Sequence, residues 1–146
     1  MIKSTLDRQI EMRLREHDVR FTTGRRTVVA ALAGATGPMS AAELSAESAR
    51  DVPLSSIYRT LAILEEAGVV SHHLGAKGMT RFELAEWLTG HHHHLVCIDC
   101  GSVSDVDIPA AKEERVRDLV SEIAAVASFD AIDHALEIEG RCSRCA

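Results

Sequence analysis

Leu6, Ile10 and Leu14 recur every fourth residue between charged neighbours, the spacing of one helical stripe, and predict a first helix over residues 4–17. After the polar break at His17-Asp18, Thr22 or Thr23 can cap a second helix, whose Val28, Val29 and Leu32 face a core until Gly34 and Gly37-Pro38 end it. Ser40 caps a short third helix with Ala41, Ala42 and Leu44, which stops before Asp51-Val52-Pro53. A fourth starts near Ser55; Ile57, Leu61 and Leu64 make its buried stripe, and Gly68 is its C-terminal stop. Residues 69–74 and 79–84, separated by Gly75-Ala76-Lys77-Gly78, read as a hairpin.

The pattern then changes. A connector at 85–90 leads to strands at 93–97 and 103–107 and to a longer helix from Pro109 with Val116, Leu119, Val120 and Ile123 on one face. Residues 131–139 alternate, with Ile132, His134, Leu136 and Ile138 on one side, and predict a closing strand. The expected fold class is α+β. An N-terminal winged helix-turn-helix domain (1–85) is joined by a hinge (86–90) to a small α+β domain (91–146).

Helices followed by a hairpin place the fourth helix as the reader of a DNA major groove. Arg59 suits a base edge or phosphate, Tyr58 a thymine methyl or phosphate, and Ser55 and Ser56 a phosphate. Arg20, Arg25 and Arg26 would grip the backbone beside it, with Lys77 at the wing tip. A net charge of -6 argues against nucleic acid as an average. The charge is split, however: residues 1–60 hold nine Lys or Arg against seven Asp or Glu, and residues 61–146 seven against fifteen. A nucleic-acid surface therefore belongs to the first half and a cation-binding surface to the second.

At 146 residues and 46% hydrophobic, the chain has material for a core in one ordinary domain or two small ones. It has no run of about 18 apolar residues, and its first residues lack the apolar centre of a signal peptide, so no membrane partner is expected. The expected compartment is the cytoplasm, where paired cysteines stay reduced and serve as metal ligands.

All four cysteines lie in two Cys-x-x-Cys pairs, Cys97/Cys100 and Cys142/Cys145. Four thiolates satisfy tetrahedral structural zinc with no open position, against the plainer readings of two disulfides or free thiols. Just before the first pair stand His91, His92, His93 and His94. In an extended strand His91 and His93 share one face and His92 and His94 the other, so one strand can feed two metal sites. An affinity tag is disfavoured by the internal position and by the count. Outside donors are needed: Glu83, Glu86, His72 and His73 from the hairpin and connector, and Glu113, Glu114 and His134 from the second domain.

These residues resemble the ferric uptake regulator family of metal-dependent bacterial repressors. Ser55-Ser56-Ile57-Tyr58-Arg59-Thr60-Leu61 with Glu66-Ala67-Gly68-Val69-Val70 is similar to the family's reading helix and wing entry, Arg81-Phe82-Glu83-Leu84 to the end of its wing, and residues 91–100 to its signature. Thr22, Thr23, Gly24 and Arg25 resemble a segment that makes a further DNA contact. The resemblance implies a homodimer on double-stranded operator DNA, with no small organic substrate. It also implies that His92 and His94, with Glu83, form a regulatory site between the domains. His91 and His93, with His134 and either Glu113 or Glu114, match a secondary site. The chain departs from many iron-type members at Pro38-Met39, where they carry a ligand histidine, which leaves His72, His73 or Glu86 to complete the regulatory site. The implied metals are structural zinc and a regulatory zinc or Fe(II), with Mn and Ni also compatible with such donors. Two other function classes are open to these residues: a zinc-dependent hydrolase, weakened by the lack of His-Glu-x-x-His, and a constitutive zinc-stabilised DNA-binding module.

Overall fold

The computed structural model describes residues 4–48, 52–75 and 78–146. Its first half is helical: α1 (Thr5–Glu16), α2 (Thr23–Gly34), α3 (Ala41–Glu47) and α4 (Leu54–Glu66). Ser4 caps α1 and Thr22 caps α2 through hydrogen bonds from Asp7 N–H and Arg25 N–H. Ser40 caps α3 in a full capping box with Glu43, so two otherwise orphaned amides are satisfied reciprocally. Ile10, Leu14, Val28, Val29, Leu32, Leu44, Ile57, Leu61 and Leu64 close into one core, as the helical stripes predict.

The hairpin is β2 (Val70–Leu74) and β3 (Thr80–Leu84), to which a short strand absent from the sequence reading, β1 (Met39–Ser40), adds on the far side of β3. Two residues are too short for a periodic signal; they pair with Phe82 and Arg81 because Met39 reaches the core. Arg81 is buried, and its guanidinium donates to the Pro38 carbonyl at 3.3 Å and to Glu43 at 2.8 Å, fixing this segment against α3.

The connector contains a one-turn helix, α5 (Glu86–Thr89). Its Trp87 donates from the indole to the Gly68 carbonyl at the end of α4, at 2.7 Å, and lies under the Arg13 guanidinium. The second sheet, ordered β5-β4-β6, contains β4 (His93–Cys97), antiparallel β5 (Val103–Val106) and parallel β6 (Glu137–Gly140), with α6 (Ala110–Val126) before the last strand.

One expectation is corrected here. The closing strand is only four residues long, and His134 comes from irregular chain ahead of it; the first contact with β4 is made by the Leu136 carbonyl, which accepts from His94 N–H at 3.2 Å. The α6 face with Leu119 and Ile123 is exposed, as are Val126, Phe129 and Ile132, so this apolar stripe has no cover among the described residues of one chain.

Candidate metal centres and nucleic-acid face

Three donor clusters branch from β4 and the two residues before it, each with its donor atoms within 4.8 Å of one another. The first joins Cys97, Cys100, Cys142 and Cys145, all without disulfides. Cys100 and Cys142 sulfurs are 3.8 Å apart. A tetrahedron of ~2.3 Å zinc–sulfur bonds has edges of about 3.8 Å, so this spacing suits one shared zinc ion. Amides of Cys100 and Cys142 directed at the Cys97 sulfur bring its pKa down to about 6, while hydrogen bonding to Cys142 and burial push Cys145 up to about 12. The amides directed at Cys97 favour its thiolate, the form that binds zinc, and a cation favours ionisation of the remainder.

His91, His93, Glu113 and His134 form the second cluster. Glu113, at the first turn of α6, lies 2.7 Å from both His93 Nε2 and His134 Nε2 and 3.0 Å from His91 Nε2. Hydrogen bonding from His93 and His134 holds its carboxyl at about 2 against burial. The His91 and His134 Nε2 atoms face each other at 3.2 Å, a fit for two nitrogens bound to one ion. Glu114, the neighbouring alternative, is exposed and outside the cluster.

The third cluster combines Glu83 from the end of β3 with His92, His94 and Asp105. Glu83 Oε2 is 2.9 Å from His92 Nε2 and 3.1 Å from His94 Nε2, while its other oxygen meets His73 Nε2 at 2.5 Å. Burial raises the Glu83 carboxyl, but hydrogen bonds from His73, His94 and His92 outweigh it and hold the group well below the usual carboxylate range. The same bond raises His73; for His92, burial works downward and is overcome by Glu83 and the Gly90 carbonyl. Asp105, raised by burial, lies 3.5 Å from His92 and 3.4 Å from His94. Two carboxylates and two imidazoles on one point make an oxygen-and-nitrogen donor set for a divalent transition metal.

The alternation of the four histidines therefore holds, even though His91 and His92 precede the strand proper. Of the additional donors, His73 reaches Glu83 but stands outside the four-donor set. His72 points to the opposite face of β2 and pairs with Glu65 of α4. Glu86 pairs with His91 and forms a separate group with Asp133 rather than joining Glu83. Asp105 was missed by the sequence reading. The signal for it is register, since a hairpin turning at residues 98–102 sets Asp105 opposite His94.

On the first half, Ser55, Tyr58 and Arg59 are exposed along the first turns of α4, with Ser56 half-buried. Arg20 and Thr22 are exposed too, although the Thr22 oxygen accepts from Arg25 N–H as the cap of α2. The Arg25 guanidinium donates to the Arg20 carbonyl at 2.5 Å, and Arg26 stacks on Phe21 and pairs with Glu11, so both are partly committed within the chain. Lys77 lies outside the described residues.

A helical half ending in a winged hairpin, coupled to a small sheet that gathers histidines, cysteines and carboxylates, defines the class of metal-responsive transcriptional regulators. Comparison with known proteins agrees. The model of the ferric uptake regulator family matches residues 16–139. The ferric uptake regulation protein of Legionella pneumophila is 40% identical over 99 residues, covering 68% of each chain. That of Brucella abortus is 32% identical over 131 residues, or 88% of each. Among solved structures, the Vibrio cholerae ferric uptake regulator has a TM-score of 0.70 at 29% identity, covering 90% of this chain and 98% of that one. The Pseudomonas aeruginosa ferric uptake regulator with manganese has 0.64 at 31%, covering 91% and 97%. The chain belongs to the ferric uptake regulator family. It is a regulator and not an enzyme, which removes the hydrolase reading.

Proposed function

We propose that the chain is a homodimeric, cytoplasmic repressor that binds operator DNA when a divalent metal fills the cluster of Glu83, His92, His94 and Asp105. The division is into a DNA-binding domain (1–85), a hinge (86–90) and a dimerisation domain (91–146). The supporting observation is the pair of hydrogen bonds from His92 and His94 to Glu83, since Glu83 belongs to the wing strand β3 and the histidines to the chain after the hinge. Only one angle between the two halves satisfies all these donors, so metal selects that angle and with it the spacing of two reading helices. His73 orients Glu83 from its other oxygen.

The four cysteines hold structural zinc, and His91, His93, Glu113 and His134 a secondary ion. Zinc, Fe(II), Mn and Ni all suit the regulatory donors, and supply in the cell decides among them. Arg59, Tyr58, Ser55 and Ser56 read or grip the DNA, supported by Arg20, Thr22, Arg25, Arg26 and Lys77. The exposed stripe of Leu119, Ile123 and Val126 meets its copy in the dimer.

The test is titration of each metal into chelator-treated protein, counting ions per chain and measuring the gel shift of an upstream promoter fragment. Joint replacement His92→Ala and His94→Ala should abolish the metal dependence and spare the thiolate-bound zinc. Unchanged metal-dependent binding by this variant overturns the assignment; binding by the wild type without added metal favours the constitutive module instead.

A further inference from the structure

The segment 36–40 touches both sheets. On one side Met39 and Ser40 form β1 and pair with β3, the strand that carries Glu83. On the other, Asp105 N–H donates to the Thr36 carbonyl at 2.9 Å, using the outer edge of β5, which has β4 on its inner side only. The approach is closest at Gly37. A Cβ on this residue would stand 2.2 Å from the Val103 carbonyl oxygen and 2.9 Å from the Ser104 Cα, both backbone atoms that have no rotamer by which to yield. The segment itself cannot easily retreat, because the buried Arg81 holds the Pro38 carbonyl and Met39 lies in the core.

Asp105 therefore faces two ways. Its amide binds the first half of the chain and its carboxylate stands 3.4 Å from His94 and 3.5 Å from His92. We infer that the Thr36–Asp105 backbone contact, with Gly37 as its positioning residue, is a second latch, beside the direct Glu83 link, through which the DNA-binding half senses metal at the regulatory cluster. The latch stands in a segment without His, Cys, Asp or Glu, since residues 36–40 read Thr-Gly-Pro-Met-Ser. Metal drawing on the Asp105 carboxylate fixes β5 at this point, and the amide of the same residue transmits the fixed position one bond network further. A closed latch and a filled site stabilise each other, so each should tighten the other by the same factor.

This inference rests on the functional reading above, and its experiment separates the two. Gly37→Val and the milder Gly37→Ala are compared with wild type and with Gly34→Ala, a control whose added Cβ meets nothing within 4 Å. In the DNA-free protein, amide exchange at Asp105 is followed by NMR with and without Zn(II). Wild type and Gly34→Ala should show Asp105 protected, and further slowed by zinc by about fivefold or more; both Gly37 variants should lose the zinc-induced slowing, Val more than Ala. Zinc at the four cysteines and the melting temperature of the first half are measured alongside, and Gly37→Ala decides the question if Gly37→Val does not fold. In promoter binding, the metal-induced gain should fall by about fivefold or more in Gly37→Val, the smaller end of the roughly 5 to 150-fold expected for one allosteric link, with the Glu83 link supplying what remains. The latch is overturned if Asp105 exchanges as freely as an open strand edge in wild type, or if Gly37→Val keeps the full metal-induced gain. A wild type without metal-dependent promoter binding overturns the functional reading instead, and zinc-induced protection of Asp105 then decides the latch by itself.

Discussion

Replacing Cys97 by Ser should unfold the second half of the chain while the first half survives. The main apolar core is drawn entirely from residues 10–84. Beyond residue 90, the buried apolar side chains are Val96, Cys97 and Ala124. Full burial of a valine contributes about 1.5–3 kcal/mol, whereas structural zinc in small domains supplies roughly 10–16 kcal/mol at neutral pH. Strand β6 has no buried side chain to compensate, being held by its parallel ladder to β4 and by the cysteine pair that follows. Loss of one thiolate should therefore cost more than about 4 kcal/mol, in the range reserved for lost metals and other large perturbations. Zinc content measured after dialysis should fall by one ion per chain, and hydrogen exchange should reach the unprotected rate in β4, β5 and β6. Amides of α2 and α4 should keep their wild-type protection. Retention of the zinc together with wild-type exchange in β4 and β6 would show that packing, not the thiolate site, holds this half together.

Glu113→Ala should leave His93, fully buried and with no partner at Nδ1, without its partner at Nε2 as well. The cost is about 1–3 kcal/mol, read as a lower melting temperature of the second half, and metal stoichiometry should drop by one; Glu114→Ala should change neither. Arg59→Ala should weaken promoter binding by about fivefold or more through the loss of about 1–3 kcal/mol of base discrimination or a phosphate contact, with metal affinity in the absence of DNA unchanged. An equal loss of metal affinity would count against a role in direct DNA contact. Leu61→Ala, at a core position with 1% exposure, should cost about 2–5 kcal/mol in a chemical denaturation curve and remove DNA binding with it.

The helical stripes through Ile10, Leu14, Ile57, Leu61 and Leu64 needed no tertiary information, because period and capping residues are local properties of the chain. The two pairs of histidines were likewise separated by strand alternation alone, and the two cysteine knuckles by their spacing. Asp105 was different. Nothing in its neighbours marks it as a donor, and it joins the cluster only because β5 pairs with β4 in one register. His72 and His73, equal as residues in a sequence, are divided by the pleat of β2: His73 reaches Glu83, and His72 turns to Glu65.

By itself, then, the sequence determined the periodic helices and the wing hairpin, and it offered the histidines, cysteines and glutamates as candidate donors. Tertiary structure decided the company those side chains keep. It placed Glu113 rather than Glu114 in the cluster, brought His134 in from irregular chain, and left the α6 stripe uncovered among the described residues. It also brought Thr36 and Gly37 against β5, a backbone contact whose one mark in the sequence, the glycine at 37, reads equally well as the stop of a helix.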